Sequence, residues 1–174
     1  MNYVNYENEK ILIPVCSNVE LVNVVSNLAK VIFEEHYTKY IGDTHVKYML
    51  ESFQSSKAIL NAINYGEIYY LINFKGENVG YFSFKNNVPK GKMFISKLYI
   101  LKSARGNGLA RLAFNAMISI AKESNFNEIW LKTYKHHQSV QVYQSLGMKV
   151  SKSIMNDHGN GYKMDDYIMS MEIV

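Results

Sequence analysis

The sequence predicts an α/β fold, of the α+β kind, with a mixed central sheet of about seven strands flanked by helices. Three observations carry that expectation. Residues 93–101 are dense in apolar and aromatic side chains and end before Arg105, as a buried strand does. Leu109, Leu112, Ala113, Ala116, Met117, Ile120 and Ala121 then follow the i, i+3, i+4, i+7 spacing of an amphipathic helix, and residues 128–133 form another strand. Strand, helix and strand in that order imply a crossover with the two strands parallel. Upstream, residues 68–74 and 79–85 are strands joined by Lys75-Gly76-Glu77-Asn78, a hairpin signal, so the sheet begins antiparallel.

The remaining elements follow from local chemistry. Residues 10–16 are a first strand, with Pro14 placing it at an edge or strand end. Cys16 is expected to close that strand as a core residue. Ser17 or Asn18 can cap the next helix, whose stripe is Leu21, Val24, Val25, Leu28, Val31 and Ile32. That helix continues toward Tyr40 and breaks at Gly42. Asp43 or Thr44 caps a second helix through Met49, Leu50 and Phe53. Ser55 or Ser56 begins a third, through Ile59, Leu60 and Ile63 to a stop at Gly66. Residues 86–91 are a loop holding Pro89. Residues 108–124 carry the long helix, and 139–146 a short one ending at Gly147, which suits a left-handed turn. Residues 148–154 are a strand, 155–161 a polar loop, and 166–174 the last strand.

Composition fits a single domain spanning residues 1–174: 48% of the residues are hydrophobic, enough for a real core, and only two are proline. One cysteine cannot form an intrachain disulfide and suits a reducing cytoplasm. The N-terminus lacks the basic and apolar regions of a signal peptide, and no apolar run approaches the roughly 20 residues of a membrane span. The net charge of +4 comes from 19 basic residues mixed with 15 acidic ones, so no basic stripe for nucleic acid stands out. A polyanionic cofactor explains a local basic patch equally well.

The joint Arg105-Gly106-Asn107-Gly108-Leu109-Ala110 has a physical job available to it. A helix N-terminus offers unpaired N–H groups and partial positive charge. Gly106 and Gly108 let the loop turn tightly and let an anion approach the backbone, while Arg105 and Arg111 add donors suited to phosphate. The joint reads as a pyrophosphate cradle. It is neither a P-loop, since no Gly-Lys-Ser/Thr follows, nor a dinucleotide fingerprint, since only two glycines are present. A plain strand-to-helix turn is the bland alternative.

Context separates the two. Leu98-Tyr99-Ile100 followed by Arg105-x-x-Gly108-x-Ala110 and a helix resembles motif A of the GNAT acyl-CoA N-acyltransferases, Arg/Gln-x-x-Gly-x-Gly/Ala. His136-His137-Gln138-Ser139-Val140-Gln141-Val142-Tyr143-Gln144-Ser145-Leu146-Gly147-Met148 resembles their motif B, Asn-x-x-Ala-x-x-Phe/Val-Tyr-x-x-x-Gly-Phe/Met. The resemblance runs from about Gly66 to the C-terminus. It implies the GNAT fold, whose sheet splays at the acetyl-CoA site, and acetyl-CoA as co-substrate with no metal. It implies that Leu98, Tyr99 and Ile100 offer backbone groups to the pantetheine. Arg105, Gly106, Asn107, Gly108, Leu109, Ala110 and Arg111 would take the pyrophosphate, with His136 and Ser139 as further cofactor contacts.

The implied reaction is direct attack of a neutral amine on the thioester in a ternary complex. The amine's proton needs a base or a water chain, the carbonyl oxygen a backbone donor, and the leaving thiolate a proton. Tyr143 occupies the family's acid position. The sequence departs from the family where His136 replaces motif B's Asn and Ser139 its Ala. His136 could also shuttle a proton. Ser96 stands where polyamine-type members often carry a glutamate base, with Lys97 next, so no base is carried over. Glu34, Glu35 and His36 are candidates by position only.

The stretch from His158 to Met169 resembles the Gly-x-Gly-Phe/Tyr-x-Met-Asp-Asp-Tyr/Phe-x-Met ending of small bacterial GNAT proteins, some of whose relatives acetylate polyamines. With Glu34, Glu35, Asp165 and Asp166, it favours a cationic small-molecule amine, foremost a polyamine, as acceptor. The alternatives are a protein, peptide or aminoglycoside acceptor, or a weakly catalytic acyl-CoA-binding module. Nucleic acid and membrane are not expected partners. Homodimers are common in the family, and the sequence leaves that state open.

Overall fold

Short caps and two-residue turns set most element boundaries. The computed structural model describes residues 4–5 and 9–173, which form eight strands and five α-helices. They divide into two compact units. The first holds the chain up to Phe84 together with Lys97–Ala113, and the second holds Lys85–Ser96 with the chain from Phe114. Strand β5 (Lys92–Ile100) and helix α4 (Leu109–Glu123) each contribute to both.

In the first unit, β1 (Val4–Asn5), β2 (Lys10–Pro14), β3 (Ile68–Phe74) and β4 (Glu77–Asn86) lie in that order, with the second half of β5 beside β4. The β1–β2, β2–β3 and β3–β4 pairs are antiparallel. Lys75-Gly76 forms the two-residue hairpin turn, so Glu77 already pairs with Phe74. Helix α1 (Val19–His36) starts where Asn18 accepts from the Leu21 N–H, the cap expected from the sequence. It stops at His36 rather than running to Tyr40. Helix α2 (Thr38–Met49) carries the break at Gly42, where φ is +76°. A π-helical turn, Leu50–Gln54, joins it to α3 (Ser56–Asn64), which Ser55 caps. Gln54 explains that turn: its side chain accepts from the Tyr81 hydroxyl at 3.1 Å and its carbonyl from the Ser26 hydroxyl at 2.9 Å. Val22, Val25, Ala29 and Ile32 of α1 and Ile59 of α3 pack with Tyr69, Leu71 and Tyr81 of the sheet to make this unit's core.

Gly80 shows what holds β4 to β5. A Cβ there would come within 2.5 Å of the Tyr99 carbonyl oxygen, so only glycine permits the approach. Cys16 corrects the sequence expectation. It is exposed, with φ of +47°, because the strand ends at Pro14 and the chain turns before the α1 cap; Val15, fully buried, takes the core place.

In the second unit, the first half of β5 runs parallel to β6 (Glu128–Tyr134), from Lys92 beside Glu128 to Ile95 beside Leu131. A 2.9 Å ion pair between Lys92 and Glu128 marks the start of that ladder. Strand β8 (Tyr162–Glu172) lies antiparallel between β6 and β7 (Lys149–Gly159). The expected polar loop over 155–161 is mostly strand: Met155 pairs with Asp165, Asn156 with Met164 and Asp157 with Lys163. Only Asn160-Gly161 turns, with φ of +51° and +80°. The polar side chains hid the pairing, because β7 is an edge strand with little buried surface to pattern. Helix α5 (Ser139–Ser145) ends at Gly147, where φ is +98°, as expected.

Candidate active site

The loop between β5 and α4 assembles the motif A residues in the first unit. From Ser96 to Ile100 every residue of β5 is half-buried. The Leu101 N–H donates to the Val79 carbonyl at 2.9 Å, so β5's odd-numbered residues here address β4. Tyr99 shares that direction, its carbonyl lying against Gly80. The backbone groups of Leu98 and Ile100 therefore point to the opposite edge. Of the three residues expected to offer backbone groups, Leu98 and Ile100 face that edge, with the Ile100 carbonyl taken by Arg105, and Tyr99 faces β4.

A short 3₁₀ turn, Lys102–Ala104, leads into the loop. Gly106 and Gly108 have φ of +81° and +74°, a backbone that L side chains rarely adopt, and a Cβ at Gly106 would meet open space. The Leu112 N–H donates to the Gly108 carbonyl at 3.0 Å, which closes the first helical turn. The N–H groups of Leu109, Ala110 and Arg111 precede that bond and have no acceptor within the helix. Arg111 is exposed. The Lys10 ammonium lies 3.8 Å from where a Cβ of Gly108 would be, a cation beside the loop that sequence spacing could not show. Asn107 is exposed, and its Nδ2 donates to the Ala104 carbonyl at 3.0 Å and braces the turn. N–H groups without an acceptor in the helix, two positive-φ glycines and two cations stand together here, and these residues fit a pyrophosphate. Among the described residues no cluster of His, Cys, Asp or Glu could hold a metal ion.

Arg105 departs from the expected outward arginine. Its Nε and Nη2 donate to the Ile100 carbonyl at 3.3 and 3.2 Å, and its Nη2 donates to His36 Nδ1 at 3.3 Å. Burial works against its charge, while Glu35 and Tyr37 favour it. Glu35 in turn accepts from the Lys102 N–H at 3.3 Å, and Glu34 is exposed.

A buried network in the same unit escaped the sequence reading. Glu67, 3% exposed, accepts from the Ser83 hydroxyl at 2.6 Å and from the Lys97 ammonium at 3.0 Å. Lys97 also lies over the Tyr69 ring at 5.1 Å. Burial and the Glu67 charge push the Tyr69 phenol far above its ordinary range. The only sequence signal was alternation: Glu67, just before β3, is two residues from Tyr69, which pairs with Ser83 of β4. Nothing local marks that pairing.

The motif B residues lie in the second unit. Tyr143 is buried on α5, one turn after Ser139 and on the same side of the helix. The Ser139 hydroxyl sits 2.7 Å from Thr133 Oγ1 and 2.9 Å from His137 Nδ1, and the Ser139 N–H donates to that nitrogen at 3.2 Å. His137, passed over in the sequence, thus ties the start of α5 to β6. His136 is exposed, its ring set edge-on to Tyr134 at 5.4 Å.

The acidic pair of β8 splits in two. Asp165 pairs with Lys135. Asp166 is 4% exposed; its Oδ2 accepts from Asn156 Nδ2 at 2.9 Å, and its Oδ1 is buried without a hydrogen-bond partner among the described residues. Burial is the main cause that raises its carboxyl to about 6, against the pull of Asn156 and Lys132. Asn156 also accepts from Lys132 at 3.1 Å and bonds His158 at 3.0 Å.

The sequence model described as the acetyltransferase (GNAT) family matches residues 30–148. Comparison by sequence with curated proteins yields no match. Among solved structures, the chain resembles the PaiA N-acetyltransferase of Thermoplasma acidophilum in complex with coenzyme A. The TM-score is 0.79 at 15% identity over 94% of this chain and 98% of that one. It also resembles a spermidine N-acetyltransferase chimera from Vibrio cholerae and hSSAT (TM-score 0.69, 15% identity, 94% and 95% covered). A third is aminoglycoside 6'-acetyltransferase type Ii (TM-score 0.63, 17% identity, 94% and 97% covered). At these identities the likeness is one of fold.

Proposed function

Since the chain belongs to the acetyltransferase (GNAT) family and is an acetyl-CoA-dependent N-acetyltransferase, we propose that it acts as one cytoplasmic domain, residues 1–174, on the primary amine of a small cationic acceptor, foremost a polyamine. The observation that carries the acceptor class is Asp166, a buried carboxylate with one oxygen unpaired and its carboxyl raised to about 6. Such a group is tuned to accept a proton near neutrality or to stabilise an ammonium. The other acidic residues support the reading less, since Glu35 binds the Lys102 N–H and Asp165 pairs with Lys135. Fold does not choose the acceptor, because spermidine and aminoglycoside acetyltransferases share it.

Acetyl-CoA supplies the acyl group as a thioester. The chain's residues then have separate tasks. The N–H groups at the start of α4, with Lys10 and Arg111, bind the pyrophosphate. Leu98 and the Ile100 N–H offer backbone groups to the pantetheine. The amine must lose a proton as its nitrogen bonds to the acyl carbon, and Asp166 or a water relay takes it. The C–S bond breaks, and the Tyr143 hydroxyl protonates the departing sulfur. A phenol's ordinary pKa of about 10 lies above a thiol's 8.5, so that transfer runs uphill by a modest amount and depends on solvent to restore the phenol.

Mass spectrometry of products from spermidine, spermine, an aminoglycoside and a lysine peptide tests the acceptor. Acetyl-spermidine or acetyl-spermine is the expected product. A protein that acetylates only the peptide or the aminoglycoside contradicts the polyamine reading. Tyr143→Phe is expected to lower kcat about 10²-fold or more, with the KM for acetyl-CoA little changed. An unchanged kcat removes Tyr143 as the acid.

A further inference from the structure

Arginine carries five N–H donors and no acceptor. The 3.3 Å contact between Arg105 Nη2 and His36 Nδ1 therefore requires Nδ1 to accept, and so to carry no proton. A protonated His36 ring would present a second donor and a second cation to the guanidinium. The same guanidinium holds the Ile100 carbonyl through Nε and Nη2, five residues upstream. It thus ties the end of β5 to the loop that begins at Arg105, with the Lys102–Ala104 turn between them. A second tie runs parallel to it, from the Lys102 N–H to Glu35, the neighbour of His36 on α1.

We propose that Arg105 is a positioning residue for acetyl-CoA, and that neutral His36 latches it against the Ile100 carbonyl so that the glycine loop and the N–H groups behind it hold their anion-binding arrangement. The proposal rests on reading Arg105–Arg111 as the pyrophosphate cradle. The fork geometry favours this role over direct phosphate contact, because three of its five N–H donors are already spent on one carbonyl and one imidazole. Beside His36 lie Arg105 from the loop and the Tyr37 ring at 6.3 Å, and its helix neighbour Glu35 accepts from the Lys102 N–H. The latch is therefore closed while the imidazole is neutral and opens when the ring takes up a proton, because the Nδ1–H would then face the guanidinium instead of accepting from it.

The test is calorimetric binding of coenzyme A to the full chain at about pH 8 and about pH 5.5, on either side of an imidazole's ordinary range. Arg105→Met is expected to weaken binding by at least about tenfold at the higher pH, the effect of losing charge-assisted hydrogen bonds. His36→Gln keeps a neutral acceptor that cannot be protonated. The ratio of wild-type Kd to His36→Gln Kd should therefore rise at least about threefold on acidification. The ligand's own phosphate titration is common to both proteins and cancels in that ratio. A ratio that does not move, or Arg105→Met binding like wild type, overturns the latch. Should Arg105→Met fail to fold, the His36→Gln ratio decides alone. Wild type and Gly108→Glu binding coenzyme A equally would instead overturn the cradle reading, and the latch with it.

Discussion

Asp166 sits buried on β8 with a carboxyl raised to about 6, against an ordinary value of 3.8. A carboxylate raised in the folded state stabilises the fold while protonated. That contribution is fully present below the unfolded pKa and is lost as pH rises through about 6. The shift corresponds to roughly 3 kcal/mol as an upper figure. Asp166→Asn removes the charge and keeps the shape. It should melt above wild type at pH 7, with the gap closing as pH falls below about 4. Thermal denaturation of both proteins across that range checks this; a gap independent of pH contradicts it. The same side chain is the proposed proton acceptor, so Asp166→Asn should gain stability while losing amine turnover. That opposition is what a functional residue held at a cost predicts. In the sequence, Asp165 and Asp166 were alike. Packing distinguishes them: Asp166 lies opposite Tyr134 of β6 and Ile154 of β7 and is buried, while Asp165 pairs with Lys135.

Elements in the first unit are joined by two devices that local sequence did not reveal. One is Gly80, whose missing Cβ lets β4 approach the Tyr99 carbonyl. Gly80→Ala would set a methyl 2.5 Å from that oxygen. The obstacle is backbone and cannot rotate away, so a loss of about 2 kcal/mol or more is expected, read as a lower denaturant midpoint. An unchanged midpoint contradicts the close approach. The other device is the Glu67–Lys97 pair, with side chains 2% and 10% exposed. Glu67→Ala leaves an ammonium buried without its partner and should cost about 3 to 5 kcal/mol, whereas replacing both residues by apolar ones should cost far less. Equal losses in the single and double variants would show that the pair is not coupled. The elements themselves were legible. The Asn18 and Ser55 caps, the Lys75-Gly76 turn and the β5–α4–β6 crossover all follow from spacing and turn chemistry; the α1 stripe was right at Val25, Leu28 and Ile32, but Val31 is exposed and Val22, Ala29 and Phe33 are buried instead. The π-helical turn was not, because its cause is Gln54 bonding to Tyr81 and Ser26, residues 27 and 28 positions away.

At the scale of the whole molecule, family membership and the acyl donor follow from residues 30–148, while the acceptor does not. Motif A was readable because backbone chemistry dictates its glycines: φ near +80° excludes side chains whatever the rest of the protein does. The roles of its arginines were less readable. Arg111 stays exposed, but Arg105 turns inward onto Ile100 and His36, partners set by the packing of α1. Lys10 joins the cradle from a strand nearly a hundred residues away in sequence, so no local pattern could announce it. Among the described residues no helix is long and apolar enough to cross a membrane.

The central claim is amine acetylation with acetyl-CoA held on the Arg105–Arg111 loop, and thiol release from acetyl-CoA tests it most directly. Wild type and Gly108→Glu should be assayed with spermidine and without it. Release should depend on the amine in wild type and be lost in Gly108→Glu, whose side chain would bring a negative charge and a strained backbone into the cradle. Release that is undiminished in a folded Gly108→Glu, or wild-type release that no amine stimulates, would contradict it.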